Sequence, residues 1–125
     1  MRSLRFLTIA AAATIAVAAP ARAMTLRTAP ASDTFAKAQI LCEMVNTGTT
    51  PIHLKIEARS YDGTLIDSVG PFPLTGGNSG SYAPYDPGAA YCKFIVLQGS
   101  AKKLRAQAVY ADPATGNRMI AVPAR

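Results

Sequence analysis

Apolar and polar residues alternate with a period of two along several segments of this chain, and this pattern restricts the fold more than any other feature. In the clearest segment, the apolar set is Ile52, Leu54, Ile56 and Ala58, and the polar set is His53, Lys55, Glu57 and Arg59. Successive side chains of a strand point to opposite faces, so the pattern predicts a strand with one buried face. Helical periodicity is not sustained over any useful length, and the sequence therefore predicts an all-β protein.

The first 23 residues have the composition of a bacterial-type export signal. Arg2 and Arg5 form a positive region, and an uncharged stretch extends from Phe6 to Ala19. Ala21-Arg22-Ala23 then provides a small-x-small cleavage site. The uncharged stretch is about 14 residues long and a membrane-spanning helix needs roughly 20, so a retained anchor is the less favoured alternative. We expect cleavage after Ala23 and a periplasmic or secreted product without a membrane span.

Residues 24–125 have the length of one small domain. Arg2, Arg5 and Arg22 belong to the predicted signal, so the formal charge of +6 for the whole chain falls to about +3 after processing. A basic stripe with interleaved aromatic residues, which would stack nucleic-acid bases, is missing from the sequence. The charge therefore does not indicate a nucleic-acid-binding protein.

Each of the two cysteines lies in the middle of an alternating segment. Cys42 shares a face with Ile40 and Met44, and Cys92 shares a face with Phe94. An even number of cysteines in an exported chain is typical of a disulfide. Free or metal-bound thiols are the less favoured alternative, because the spacing is not CxxC and the chain has a single histidine. We expect a disulfide buried between two sheets, for which the chain-entropy model gives about 4 kcal/mol of stabilisation.

Turn-forming residues separate the alternating segments. Asp62-Gly63 between Tyr61 and Thr64 predicts a tight hairpin. Asn46-Thr47-Gly48 marks another turn, and Gly99-Ser100 a third. Between Gly70 and Gly88 the composition shifts to Gly, Pro, Ser and Tyr, which predicts a long loop or a broken edge strand.

The chain resembles the small exported immunoglobulin-like or fibronectin-like β-sandwich proteins of bacteria at Cys42, at Asp62-Gly63 and at Tyr91-Cys92-Lys93-Phe94. The resemblance implies an immunoglobulin-like β-sandwich of about seven strands after a cleaved signal peptide. It differs from antibody-type domains because the chain has no tryptophan, and because Tyr91 directly precedes the second cysteine. The resemblance implies an architecture and assigns no functional residue.

The sequence contains no set of residues typical of an enzyme. His53 alternates onto the polar face of its strand, which favours a surface histidine, and Ser79 lacks the G-x-S-x-G spacing of a nucleophile. Glu43 and Glu57 would either meet as a carboxylate pair on neighbouring strands or each pair with a nearby Lys or Arg, and the second arrangement is favoured. Oxygen ligands at the spacing of a calcium site are also missing. We expect a protein without catalytic activity, metal or cofactor.

The Gly/Pro-rich segment provides the candidate binding residues, which are Phe72, Tyr82 and Tyr85. Exposed tyrosines on loops are common contact residues in recognition. The alternative is that these rings cover the core at an open edge of the sandwich. The sequence thus favours a non-catalytic binding or structural module of the cell envelope, with another envelope or extracellular protein or a glycan as partner. The alternative function is an inhibitor or accessory subunit that docks through an edge strand.

Overall fold

The computed structural model describes residues 23–29, 39–84, 88–112 and 114–125. Residues 1–22 of the expected export signal and Tyr85 of the expected binding loop lie outside these residues, so the signal peptide and its cleavage remain predictions. The described residues form two antiparallel four-stranded sheets.

The strands and their bounds are β1 (Met24–Arg27), β2 (Gln39–Asn46), β3 (Ile52–Arg59), β4 (Leu65–Leu74), β5 (Ser79–Tyr82), β6 (Tyr91–Gln98), β7 (Leu104–Ala111) and β8 (Arg118–Pro123). A 3₁₀ turn (Ala101–Lys103) precedes β7. The prediction of an all-β sandwich is confirmed, but the described residues form eight strands rather than about seven. β1 and β5 have four residues each, which is too short for alternation to identify them.

We call the two sheets by their strand order: sheet A is β1-β6-β3-β4 and sheet B is β5-β2-β7-β8. On β3, the central strand whose alternation was clearest, Ile52, Leu54, Ile56 and Ala58 are all buried between the sheets. The polar residues of β3 lie on the outer face of sheet A. The face assignment made from the sequence is therefore confirmed for this strand.

A disulfide joins the two sheets at the centre of the core. Cys42 on β2 and Cys92 on β6 are bonded, with their Cα atoms 5.8 Å apart, and neither residue is exposed to solvent. Each cysteine lies on the inner face of its strand, as the alternation predicted. The expected Cys42–Cys92 disulfide is confirmed, and the alternative of free or metal-bound thiols is set aside.

Asn46, the last residue of β2, fixes one end of the sandwich. Its side chain is fully buried and its amide donates hydrogen bonds to the backbone carbonyls of Thr50 (2.8 Å) and Leu74 (2.9 Å). Its carbonyl oxygen accepts a hydrogen bond from the backbone N–H of Gly48 (2.9 Å). Through these three bonds one side chain ties the β2–β3 turn to the end of β4.

The two long sides of the sandwich are closed by different contacts. On one side, Arg27 of β1 and Arg125, which follows β8, exchange two backbone hydrogen bonds of 3.0 Å each. This pair joins the edge of sheet A to the edge of sheet B. On the other side, Tyr82 of β5 faces Asp67 of β4. The edges of the two sheets are thus hydrogen-bonded on one side and in contact on the other.

Candidate functional site

The structure describes two of the three residues of the predicted binding loop, and neither side chain is fully exposed. Phe72 lies on β4 and Tyr82 lies on β5, and both side chains are partly buried and pack against the core. Burial raises the pKa of the Tyr82 hydroxyl far above its usual range, and the neighbouring carboxylate of Asp67 raises it further. Tyr85 lies outside the described residues. These positions support the alternative that Phe72 and Tyr82 cover the core at an edge.

The two candidate carboxylates, Glu43 and Glu57, lie on opposite outer faces of the sandwich and do not form a pair. Glu43 on sheet B accepts a hydrogen bond from Arg118 (2.6 Å) on β8 and another from Gln107 (2.9 Å) on β7. Glu57 on sheet A is paired with Arg59, Lys55 and Lys93. The favoured prediction, in which each carboxylate pairs with a cation, is confirmed.

The turn between β3 and β4 is held by a dense set of hydrogen bonds. The N–H of Gly63 donates to the C=O of Ser60 (3.0 Å), and the N–H of Ser60 donates to the C=O of Thr64 (2.9 Å). The carboxylate of Asp62 accepts from the hydroxyl of Ser60 and from the N–H of Thr64, and these bonds lower the pKa of Asp62 to about 2. The guanidinium of Arg59 donates to the C=O of Gly63 (2.7 Å). The conformation of the turn is therefore fixed by backbone and side-chain contacts together.

This rigid turn presents two large apolar side chains to solvent. Tyr61 is 65% exposed at the tip, and Leu65 is 46% exposed at the start of β4. Gly63 has a φ of 89°, the left-handed conformation that a tight hairpin of this kind requires. Leu65 pairs with Arg59 on β3, and Arg59 pairs with Tyr91 on β6, so these three residues form one row on the outer face of sheet A. We call Arg59, Tyr61, Leu65 and Tyr91 the hairpin patch.

The next row on the same face is centred on Glu57, which is 6% exposed. Its carboxylate accepts hydrogen bonds from Arg59 Nε (2.8 Å) and Nη2 (2.5 Å) and lies 3.6 Å from Lys55 Nζ and 3.9 Å from Lys93 Nζ. Burial alone would raise the pKa of Glu57. The hydrogen bonds and charge of Arg59, with the charges of Lys93 and Lys55, outweigh burial and lower this pKa.

A fourth cation extends this row to the edge of the sheet. Arg27 on β1 pairs in register with Lys93 on β6, and Lys93 pairs with Glu57 on β3. Neighbouring strands are separated by about 5 Å, so these side chains lie next to one another. We call Arg27, Lys55, Arg59 and Lys93 the cation quartet. Three adjacent strands thus place three cations around one nearly buried carboxylate and a fourth cation beside Lys93.

A groove also opens beside the first residues of β7. Its apolar lining includes Met24, Leu26 and Leu104, and it continues past Arg105 and Gln107 onto the outer face of sheet B. Its lining includes residues from both faces of sheet B. It contains no arrangement of groups that indicates a particular chemistry.

Within the part of the chain that the structure describes, no group of three or more His, Cys, Asp or Glu residues is placed to hold a metal ion. The described residues also include no helix long and apolar enough to cross a membrane. In comparisons with known proteins, no family model matches this chain, and neither a curated protein nor a solved structure matches it. The hairpin patch and the cation quartet are therefore the candidate functional features of the described residues.

The sequence contains a signal for the hairpin patch in the Asp62-Gly63 turn. Asp62-Gly63 predicts the hairpin, and the large residues on either side of it, Tyr61 and Leu65, are both exposed to solvent. A tyrosine at the tip of a tight hairpin has no neighbouring strand on which to pack. Its exposure could have been inferred from the turn type alone.

Proposed function

We propose that this protein is an exported, non-catalytic binding module that contacts a protein partner through the hairpin patch at one end of sheet A. The exposure of Tyr61 on a rigid turn carries the proposal. Tyrosine is enriched in binding hot spots because its ring buries a large area with few rotatable bonds. A turn that is already fixed loses little conformational entropy when a partner binds.

Two further observations support the exported part of the proposal. The first 23 residues have the charge pattern and cleavage site of an export signal. The Cys42–Cys92 disulfide suggests a non-reducing compartment such as the periplasm or the medium. The two-sheet fold agrees with the sequence resemblance to small exported immunoglobulin-like proteins of bacteria.

Site-specific photocrosslinking in cells that export the protein tests this function. A benzophenone side chain at position 61 should give one discrete adduct with a partner protein that mass spectrometry can identify. The control is the same side chain at position 102, because Lys102 is exposed in the 3₁₀ turn at the opposite end of the sandwich. Equal labelling from both positions, or no adduct from position 61, would contradict the proposal.

The edge strand β8 is the basis of a second candidate function, docking by strand addition. The other three edges are less suited to strand addition: β4 contains Pro71 and Pro73, and β1 and β5 have four residues each. On β8 the N–H of Ala124 donates to Ala106 of β7, so by alternation the backbone of Ala121 points away from β7.

A proline at position 121 tests the second candidate. Ala121→Pro removes an outward N–H and leaves the bonds between β8 and β7 in place, so the fold should persist. Loss of the crosslinked partner in this variant, with an unchanged thermal melt, would favour docking by the β8 edge over docking by the hairpin patch. Retention of the partner would exclude strand addition at β8.

A further inference from the structure

We propose that the outer face of sheet A recognises an acidic segment of the partner protein through the cation quartet, with the hairpin patch as its apolar anchor. This inference rests on the proposed function, since it names the chemistry of the partner that the hairpin patch contacts. Arg59 belongs to both sets, so the cations and the exposed apolar side chains form one continuous surface.

The charge balance of this face is the first argument. Glu57 is the carboxylate shared by Arg59, Lys55 and Lys93, and Arg27 lies beside Lys93. One carboxylate therefore balances one of the four cations. Asp62 also lies nearby at the turn, but its carboxylate accepts hydrogen bonds from within the turn. The face keeps an excess of positive charge.

The position of Glu57 is the second argument. Its carboxylate is almost inaccessible to solvent, whereas the side chains of Lys55, Arg59 and Lys93 remain 35%, 24% and 21% exposed. Glu57 thus lies beneath its cations and holds them close together in spite of their mutual repulsion. An incoming carboxylate would reduce that repulsion and meet cations that are already positioned.

The neighbouring side chains indicate a protein segment as the source of the negative charge. Tyr61 and Leu65 are exposed next to the cations, and Tyr91 borders Arg59 in the same row. Tyrosine and arginine around an apolar centre are characteristic of protein interfaces. A purely electrostatic surface for a sulfated glycan would gain little from Leu65.

Binding of synthetic acidic polypeptides to the purified, disulfide-bonded protein tests the inference. The probes are fluorescently labelled poly-glutamate and a random copolymer of glutamate and tyrosine, measured by anisotropy at low and high salt. Both should bind at low salt and dissociate at high salt, because screening weakens contacts between exposed charges. The copolymer should bind more tightly, and Tyr61→Ser should remove that difference.

A pair of double variants separates the quartet from general charge attraction. Lys55→Gln with Lys93→Gln removes two charges from the quartet and should weaken binding of both polymers about tenfold. Lys102→Gln with Lys103→Gln makes the same change in net charge in the 3₁₀ turn and should weaken binding less than about twofold. Thermal melts of both variants check that the fold is retained. Equal weakening by the two double variants would overturn the inference.

Two other probes test the alternative sources of negative charge. If heparin or vesicles of anionic lipid bind in a manner that requires Lys55 and Lys93, and the acidic polypeptides do not bind, the acidic-segment inference is wrong. If the polymers bind independently of the quartet while position 61 still captures a partner in cells, the inference fails and the proposed function stands. If binding of the polymers requires the quartet but position 61 gives no adduct in cells, the proposed function fails.

Discussion

Replacing Asn46 by aspartate should strongly destabilise the protein, although the two side chains have nearly the same size and shape. The change is nearly isosteric, yet it replaces an amide that donates two hydrogen bonds by a carboxylate that donates none. The two acceptors, the carbonyls of Thr50 and Leu74, lie 2.8 and 2.9 Å from the amide nitrogen. In the variant a charged oxygen would face both of them inside a fully buried site.

The size of the effect follows from these contacts. Each buried carbonyl left without its donor costs about 1–3 kcal/mol, a penalty that includes the lost hydrogen bond, and burial of a carboxylate that faces both carbonyls adds to it. Water can reach the Thr50 carbonyl in part, which reduces its share. We therefore expect Asn46→Asp to lower the free energy of unfolding by about 3–5 kcal/mol at neutral pH, a large part of the about 5–15 kcal/mol typical of a domain.

The stability lost in Asn46→Asp should depend on pH in a definite direction. Burial and the facing carbonyls raise the pKa of the carboxyl group introduced at position 46 in the folded variant above its unfolded value of about 3.9. A raised folded pKa means that the folded state binds the proton more tightly, so stability recovers as the pH falls through the folded pKa towards the unfolded one. The deficit relative to the native protein should therefore shrink between neutral pH and about pH 4.

Urea unfolding followed by circular dichroism, with the disulfide intact, measures this effect. With a slope of about 1–3 kcal/mol per molar, the midpoint should fall by about 2 M. Asn78→Asp is the matched control, because Asn78 is exposed and its side chain donates to Thr75 within the same turn. That control should change stability by less than about 0.5 kcal/mol. Equal effects at positions 46 and 78, or a loss below about 1 kcal/mol at position 46, would refute the argument.

Three further predictions concern the disulfide, the Glu57 cluster and two tyrosines. Cys42→Ala should cost about 2–5 kcal/mol of stability in urea unfolding, and the native protein should show no reactive thiol when it is unfolded without reductant. Because the pKa of Glu57 is lowered in the folded state, its ionised carboxylate stabilises the fold at pH values above the pKa of the unfolded state. This stabilisation is lost as the pH falls through the pKa of the folded state. The unfolding midpoint of Glu57→Gln should therefore vary less with pH below about 4.5 than that of the native protein, and parallel curves would contradict this. Tyr82→Ala should lower the free energy of unfolding by about 2–3 kcal/mol because its ring packs on the core. Tyr61→Ser should change that free energy by less than about 0.5 kcal/mol. Similar losses for the two variants would show that Tyr82 is not part of the core.

The parts of the fold that could be predicted are those that depend on local pattern. Alternation identified the buried face of β3 and placed Cys42 and Cys92 on inner faces, because burial of one sheet face leaves its period in the sequence. Asp62-Gly63 predicted the hairpin, because its backbone conformation depends on the glycine itself. These features need no information about distant residues.

The features that the sequence could not provide depend on contacts between distant segments. Asn46 was assigned to a turn, yet it is fully buried because one of its acceptors, Leu74, lies 28 residues away. Tyr110 is likewise buried, and its hydroxyl donates to the carbonyl of Ala90 (2.6 Å) on the other side of the core. Val109 is fully buried although it alternates onto the outer face of sheet B.

The candidate site was hidden for a related reason. Glu57 and Lys55 are two residues apart, but Lys93 and Arg27 join them through strand register, which alternation does not encode. The sequence therefore shows cations scattered along the chain, and the sheet collects them on one face. The composition of the sequence favours instead the Tyr-rich segment as the binding site, yet Tyr82 of that segment packs against the core.

The arrangement of the fold separates stability from recognition. The Asn46 contacts lie at one end of the sandwich, the disulfide lies in its centre, and the hairpin patch projects from the opposite end. Tyr61 is exposed and contributes little to the core, so a substitution there should leave the fold intact. Arg59 is the exception, because it bonds both Glu57 and the C=O of Gly63. A change at Arg59 should therefore alter the conformation of the hairpin and the charge of the quartet together, which makes it the residue that couples the sheet to the proposed binding surface.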